Sequence, residues 1–119
     1  MKAGSIAVST MPLFRASELK QIIDKARVSA AFCDWRLREE LELAQSQRPG
    51  MKQILYFNDG QGGSLETLLE YHPVDFCNVD TAADDVALIA FTSGTTGSPK
   101  GTMHFHRDVM AIYHKYLGA

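Results

Sequence analysis

The sequence has 119 residues, with 12 Lys and Arg against 14 Asp and Glu for a net charge of −2, and is 45% hydrophobic and 22% charged. This composition excludes intrinsic disorder and a collagen-like chain, and a chain of this length buries roughly two-thirds of its unfolded surface, enough for one domain with a core. Basic residues are scattered among acids, as across 36–42, which reads as a solvated helix face and argues against a nucleic-acid partner.

Along the chain, the N-terminal MKAGSIAVST lacks the long apolar stretch of a signal peptide, and its β-branched part at 5–10 (SIAVST) predicts a strand closed by Pro12. Leu19, Ile22, Ile23 and Ala26 recur at i, i+3, i+4, i+7, the face of a helix over 16–27. Residues 29–33 (SAAFC) form a second candidate strand. Asp34 is placed to cap a charged helix bearing Leu37, Leu41 and Ala44, which stops before Arg48, Pro49 and Gly50. A third strand at 52–57 (KQILYF) ends in the turn NDGQGG, and Ser64 is placed to cap a short helix with Leu65, Leu68 and Leu69. Residues 86–91 (VALIAF), the longest apolar run, read as a strand buried on both faces. Six residues fall far short of the ~20 that cross a bilayer, so no membrane span is expected and the cytoplasm is the expected location.

Cys33 and Cys77 stand far apart with no CxxC and no matching His pair. Neither a disulfide framework nor a metal site is expected, only two buried or half-buried thiols. Strand and helix periods alternate and the connections are long enough for crossovers. The fold class is therefore α/β, layered, with a largely parallel sheet flanked by helices.

Ligands of such sheets bind at the carboxyl ends of strands, where the most apolar strand here runs into Thr92, Ser93, Gly94, Thr95, Thr96, Gly97, Ser98, Pro99, Lys100 and Gly101. Glycines let backbone N–H groups converge on an anion, hydroxyls add short donors and an ammonium supplies countercharge. The set suits a polyphosphate; the alternative is a solvated Ser/Thr/Gly linker. A Walker A loop is excluded, because it needs Gly where Pro99 stands and Ser or Thr where Gly101 stands. The spacing does not fit a dinucleotide GxGxxG either. Beyond the loop, Val109, Ile112, Tyr113 and Tyr116 mark a helix over 108–117, with Asp108 as its expected N-cap and Gly118 as its stop. His104, Phe105 and His106 are read as lying between loop and helix, and His72 and His114 as surface residues.

The run TSGTTGSPKG resembles the signature phosphate loop of the acyl-adenylate-forming, or AMP-binding, ligases. KAGSIAVSTMPLFRASELKQIIDKARVSAAFCD resembles the strand-helix-strand unit upstream of that loop, and DDVALIAF the strand that delivers it. Arg15 departs by standing where a Thr-like helix cap is preferred. The segment GTMHFHRDVMAIYHKYLG is most similar to aryl-CoA ligases of the 2-aminobenzoate and benzoate group. This resemblance implies a two-step ligase: a carboxylate attacks the α-phosphate of Mg-ATP to give an acyl-adenylate and pyrophosphate, and the thiol of coenzyme A then displaces AMP. It implies nucleotide, Mg2+ and CoA as cofactors and an aromatic or acyl carboxylate as partner. By position, Thr92, Ser93, Thr95 and Thr96 donate to the β- and γ-phosphates, Gly94 and Gly97 permit the wrap, and Lys100 adds charge or braces the loop. His106 falls where the family pattern carries a histidine, at the pocket or as a structural residue. The family's later motifs have no counterpart, so residues 1–119 are expected to be one partial domain, the piece of the large N-terminal domain that holds the loop, inactive alone and self-associating through exposed edges. The alternatives are a stand-alone, non-catalytic ATP- or phosphate-binding module and a truncated remnant.

Overall fold

Each element expected before the loop is present within a few residues of its predicted bounds, and one unexpected strand follows the loop. The computed structural model describes residues 2–47, 50–59, 64–92 and 98–116. The expected helix break at Arg48 and Pro49, the turn residues 60–63 and the helix stop at Gly118 lie outside them. The chain divides into two compact units, Thr10–Asp75 and Met1–Ser9 with Phe76–Ala119.

In the first unit, the apolar stripe of α1 (Ala16–Ala26) buries Ala16, Ile22 and Ile23. The helix stops at Arg27, whose left-handed φ of 50° turns the chain so that the Val28 N–H donates to the Ile23 carbonyl at 3.0 Å. β2 (Ala30–Asp34) leads through a single 3-10 turn, Trp35–Leu37, into α2 (Arg38–Ser46), and then come β3 (Gln53–Phe57) and α3 (Ser64–Tyr71). β2 and β3 pair in parallel over all five residues, from Ala30 opposite Gln53 to Asp34 opposite Phe57, with α2 as the crossover that parallel strands require. Ala16, Ile23, Ala44 and Met51 form the core, with Leu19, Val28, Ala31, Leu41 and Ile54 packed on it. The expected Asp34 cap is present, accepting from the Arg36 N–H at 3.0 Å. It caps the 3-10 turn, so the single helix expected here is two elements.

The Arg15 side chain has no acceptor to offer as a cap, so carboxylates serve N–H groups at the start of α1. Glu18 accepts from the Arg15 N–H at 2.8 Å, and Glu40 of α2 accepts from the Ala16 N–H at 2.7 Å while pairing with the Arg15 guanidinium at 3.1 Å. Negative charge at a helix N-terminus is favoured by the dipole, and here it also ties α2 to α1.

In the second unit, β1 (Ala7–Ser9) runs parallel to β4 (Val86–Thr92), and β5 (Lys100–Phe105) pairs antiparallel on the other side of β4. Among the described residues, the β1–β4 and β2–β3 pairings are thus parallel and the β4–β5 pairing is antiparallel. The third departs from the parallel expectation because too few residues separate Thr92 of β4 from Lys100 of β5 for a crossover. In β4 only Ala87 and Phe91 are buried and their neighbours are half-buried, apart from exposed Thr92, less enclosure than the apolar run suggests. α4 (His106–Tyr116) follows β5 directly and buries none of its residues. The two thiols separate: Cys33 is buried and Cys77 is exposed, which corrects the expectation for Cys77. Among the described residues no helix is long and apolar enough to cross a membrane.

Candidate phosphate-binding site

β1 and β4 run the same way, so their carboxyl ends share one edge of the sheet, where β4 ends at Thr92. Thr92 lies directly opposite Lys100, the first residue of β5. One antiparallel pair therefore closes the base of the glycine- and hydroxyl-rich run, with a hydroxyl on one side and an ammonium on the other. Both residues are exposed, whereas Pro99 is buried and Ser98 half-buried. An ammonium facing a hydroxyl has the chemistry to attract an anion at long range and to donate to it at short range. Ser93, Gly94, Thr95, Thr96 and Gly97, the other residues assigned to phosphate, lie outside the described residues.

Composition assigns Lys100 and Gly101 to the loop, whereas the structure makes them the start of strand β5. The overlooked signal is alternation. Lys100, Thr102 and His104 fall on one face of β5, opposite Thr92, Ala90 and Leu88, and Gly101 and Met103 fall on the other, opposite Phe91 and Ile89. His104 thus belongs to the strand and shares the face of Lys100. A register shift between Val86 and Leu88 leaves Ala87 as an extra residue on β4, a bulge that bends the hairpin far from the loop.

His106 is not brought to Lys100. It opens α4 beyond the far end of β5, roughly 20 Å along the strand at ~3.4 Å per residue, half-buried, with its backbone N–H donating to the Asp85 carbonyl at 3.0 Å. The Arg107 N–H donates to the Ala83 carbonyl at 3.0 Å and its guanidinium pairs with Asp84. The turn before β4 thereby satisfies N–H groups that a helix start leaves open. Asp108, expected as the N-cap, is instead the third residue of α4, and its carboxylate reaches back to accept from the Phe105 N–H at 2.9 Å. The helix begins two residues early because residues 83–85 supply its caps. This anchorage pins the hairpin at one end and leaves Thr92 and Lys100 at the other.

Residues 1–118 match the family described as AMP-binding enzyme. The chain belongs to that family. It is 26% identical over 125 residues to the medium-chain fatty-acid–CoA ligase of Escherichia coli (strain K12), an alignment covering 98% of this chain and 22% of the ligase. It is 28% identical over 108 residues to the 4-hydroxybenzoate–CoA/benzoate–CoA ligase of Rhodopseudomonas palustris, covering 89% of this chain and 20% of the ligase. The solved anthranilate CoA ligase AuaEII, in complex with anthranoyl-AMP, superimposes with a TM-score of 0.84 at 22% identity, over 98% of this chain and 22% of that one. That likeness concerns the fold, which is the α/β fold of adenylate-forming enzymes. The chain spans about a fifth of the length of the curated relatives it matches. In this chain the TSGTTGSPKG run begins on the last residue of β4, Thr92, and ends on the first two residues of β5, Lys100 and Gly101.

Proposed function

We propose that this chain is the phosphate-gripping part of an ATP-dependent ligase that activates a carboxylate as its adenylate and passes the acyl group to coenzyme A. What supports this reading above all is the run TSGTTGSPKG, which contains the facing Thr92 and Lys100 at the carboxyl end of a parallel strand in a chain of the AMP-binding enzyme family. The first step of that reaction expels pyrophosphate, so negative charge grows on the β- and γ-phosphates. Donors fixed beforehand around that charge stabilise it where it develops. In this reading Thr92, Ser93, Thr95 and Thr96 donate hydrogen bonds, Gly94 and Gly97 let the backbone wrap, and the Lys100 ammonium offsets charge. His106, at the far end of β5, serves as a structural residue held by its backbone bond to Asp85.

The donors on β4 and β5 fit a phosphate. They do not by themselves fit a metal: among the described residues no group of three His, Cys, Asp or Glu is clustered to hold one. Magnesium, when bound with the nucleotide, would neutralise phosphate charge. The acyl group is proposed to be aromatic. This rests on the segment GTMHFHRDVMAIYHKYLG and on the likeness to the benzoate–CoA ligase.

Titration of the chain with pyrophosphate and with Mg-ATP, followed by calorimetry, tests the phosphate grip. Saturable binding is expected, weakened about tenfold or more by Lys100→Ala, the scale of one charge-assisted contact. Equal binding by the two proteins would remove Lys100 from the site.

A further inference from the structure

The last glycine of the run, Gly101, has no backbone reason to be glycine. Among the described residues Gly4 is the glycine with positive φ, whereas Gly101 sits in the extended ladder of β5. Glycine within a strand is unfavourable, so it marks a place where something needs the room. A Cβ built on Gly101 would stand 3.0 Å from Cζ and 3.1 Å from Cε1 of Phe91, and 3.1 Å from Cγ2 of Ile89. Phe91 is its direct cross-strand partner and Ile89 lies two residues away on the same face. Facing residues of antiparallel strands ordinarily hold their Cβ atoms about 4.5–5.5 Å apart; here ring atoms occupy the space of the missing one. The ring cannot swing away cheaply, because Phe91 is only 7% exposed.

The position of this pair in the hairpin gives it a consequence. Phe91 precedes Thr92 and Gly101 follows Lys100, so the ring contact is one step in from the pair at the loop mouth. We propose that Gly101 and Phe91 are positioning residues for the phosphate loop: the ring seated on the bare glycine sets the approach of β5 to β4, and with it the placement of Lys100 opposite Thr92. The proposal rests on the reading that this loop grips polyphosphate, and it gives the final glycine a task different from that of Gly94 and Gly97. It seats a ring on the strand and contacts no phosphate. Alanine at 101 forces the ring, the Ile89 methyl or the β5 backbone to yield by a few tenths of an ångström. Sites built on fixed donors are sensitive to displacement, and about 1 Å can cost on the order of a hundredfold.

The test compares the wild-type chain with Gly101→Ala, the double variant Phe91→Leu/Gly101→Ala, Lys100→Ala and Phe91→Leu/Lys100→Ala. Pyrophosphate affinity is read by calorimetry and amide hydrogen exchange along β4 and β5 by NMR. The smaller leucine lacks the ring atoms that meet the new methyl. Gly101→Ala is expected to weaken pyrophosphate binding about tenfold or more and to speed exchange at the loop end of the ladder, and the double variant to recover most of both. Phe91→Leu must not rescue Lys100→Ala, because that lesion removes charge and leaves placement intact. Binding by Gly101→Ala equal to wild type overturns the proposal, as does a double variant that stays as weak as Gly101→Ala. If Gly101→Ala fails to fold, the double variant decides: recovery of fold and binding supports the seat, and continued failure of either overturns it. A wild-type chain that binds no pyrophosphate overturns the phosphate reading instead. The exchange data still judge the seat: faster ladder exchange in Gly101→Ala, reversed by Phe91→Leu, keeps it, and unchanged exchange removes it.

Discussion

Helices α1 and α4 are each eleven residues long and each carries apolar residues at the same i, i+3, i+4, i+7 spacing, yet their surroundings differ. On α1 that face is Leu19, Ile22, Ile23 and Ala26, and Ile22 and Ile23 are 2% and 7% exposed. On α4 it is Val109, Ile112, Tyr113 and Tyr116, and the last three are 58%, 50% and 70% exposed. Periodicity thus specifies a helix and the direction of its apolar stripe. It carries no information on what meets the stripe, which for α1 is settled by residues from α2 and from the approach to β3, Ala44 and Met51.

Matched truncations break or sharpen this contrast, and they carry the largest expected effect on stability. Ile23→Ala removes methyl groups from the cluster around Ala16, Ala44 and Met51, and is expected to cost about 2–5 kcal/mol in urea unfolding. Ile112→Ala removes the same groups from an exposed face and is expected to fall within about 0.5 kcal/mol of wild type. A large loss at Ile112 would mean that α4 is covered in solution.

The same contrast explains which parts of the fold were legible. α1, β2, α2 and β3 follow from period and punctuation because each rule involves neighbours in sequence. β5 was missed although Thr102, Met103, His104 and Phe105 alternate, because Pro99 and Gly101 are residues that ordinarily break strands, and Gly101 is there to receive a ring from β4. The start of α1 agrees with the expected residue 16 although Arg15 offers no cap, and α4 starts two residues before the expected 108, for one reason: the caps come from elsewhere. Glu40 reaches the Ala16 N–H from α2, and residues 83–85 serve His106 and Arg107. At the candidate site the residue types of the loop were readable. That Lys100 faces Thr92, and that Thr102 and His104 share the Lys100 face, depends on pairing β5 with β4, which no local pattern reports.

The borrowed cap gives the next effect in size and extends the comparison to helix ends. Glu40→Ala removes the acceptor of the Ala16 N–H and the partner of Arg15 together, and a lost cap costs about 0.5–2 kcal/mol. The Arg15 pair adds little, since that side chain is 76% exposed. Glu40→Gln keeps an acceptor for the N–H and is expected to recover most of the loss. If Gln is as damaging as Ala, the ion pair matters more than the cap.

The smallest expected effect lies at the carboxyl ends of β2 and β3, the counterpart in the first unit of the edge that holds Thr92 in the second. The Arg36 guanidinium, the Asn58 amide and the Arg36 N–H all donate to Asp34, at distances from 2.7 to 3.1 Å, and hold its carboxyl well below the usual carboxylate range. A carboxyl whose folded-state value lies below its unfolded value contributes its full stability above about pH 4 and loses it as pH falls toward the folded value. Asp34→Asn retains an acceptor for the Arg36 N–H but has no charge to titrate. Urea midpoints measured from about pH 7 down to about pH 2 are therefore expected to fall more steeply for wild type than for the variant, with the curves converging in acid. Parallel curves through that range would show that the three donors to Asp34 add nothing in solution beyond what its neutral form makes, and that this edge, unlike the α1 cap, is held by the β2–β3 ladder alone.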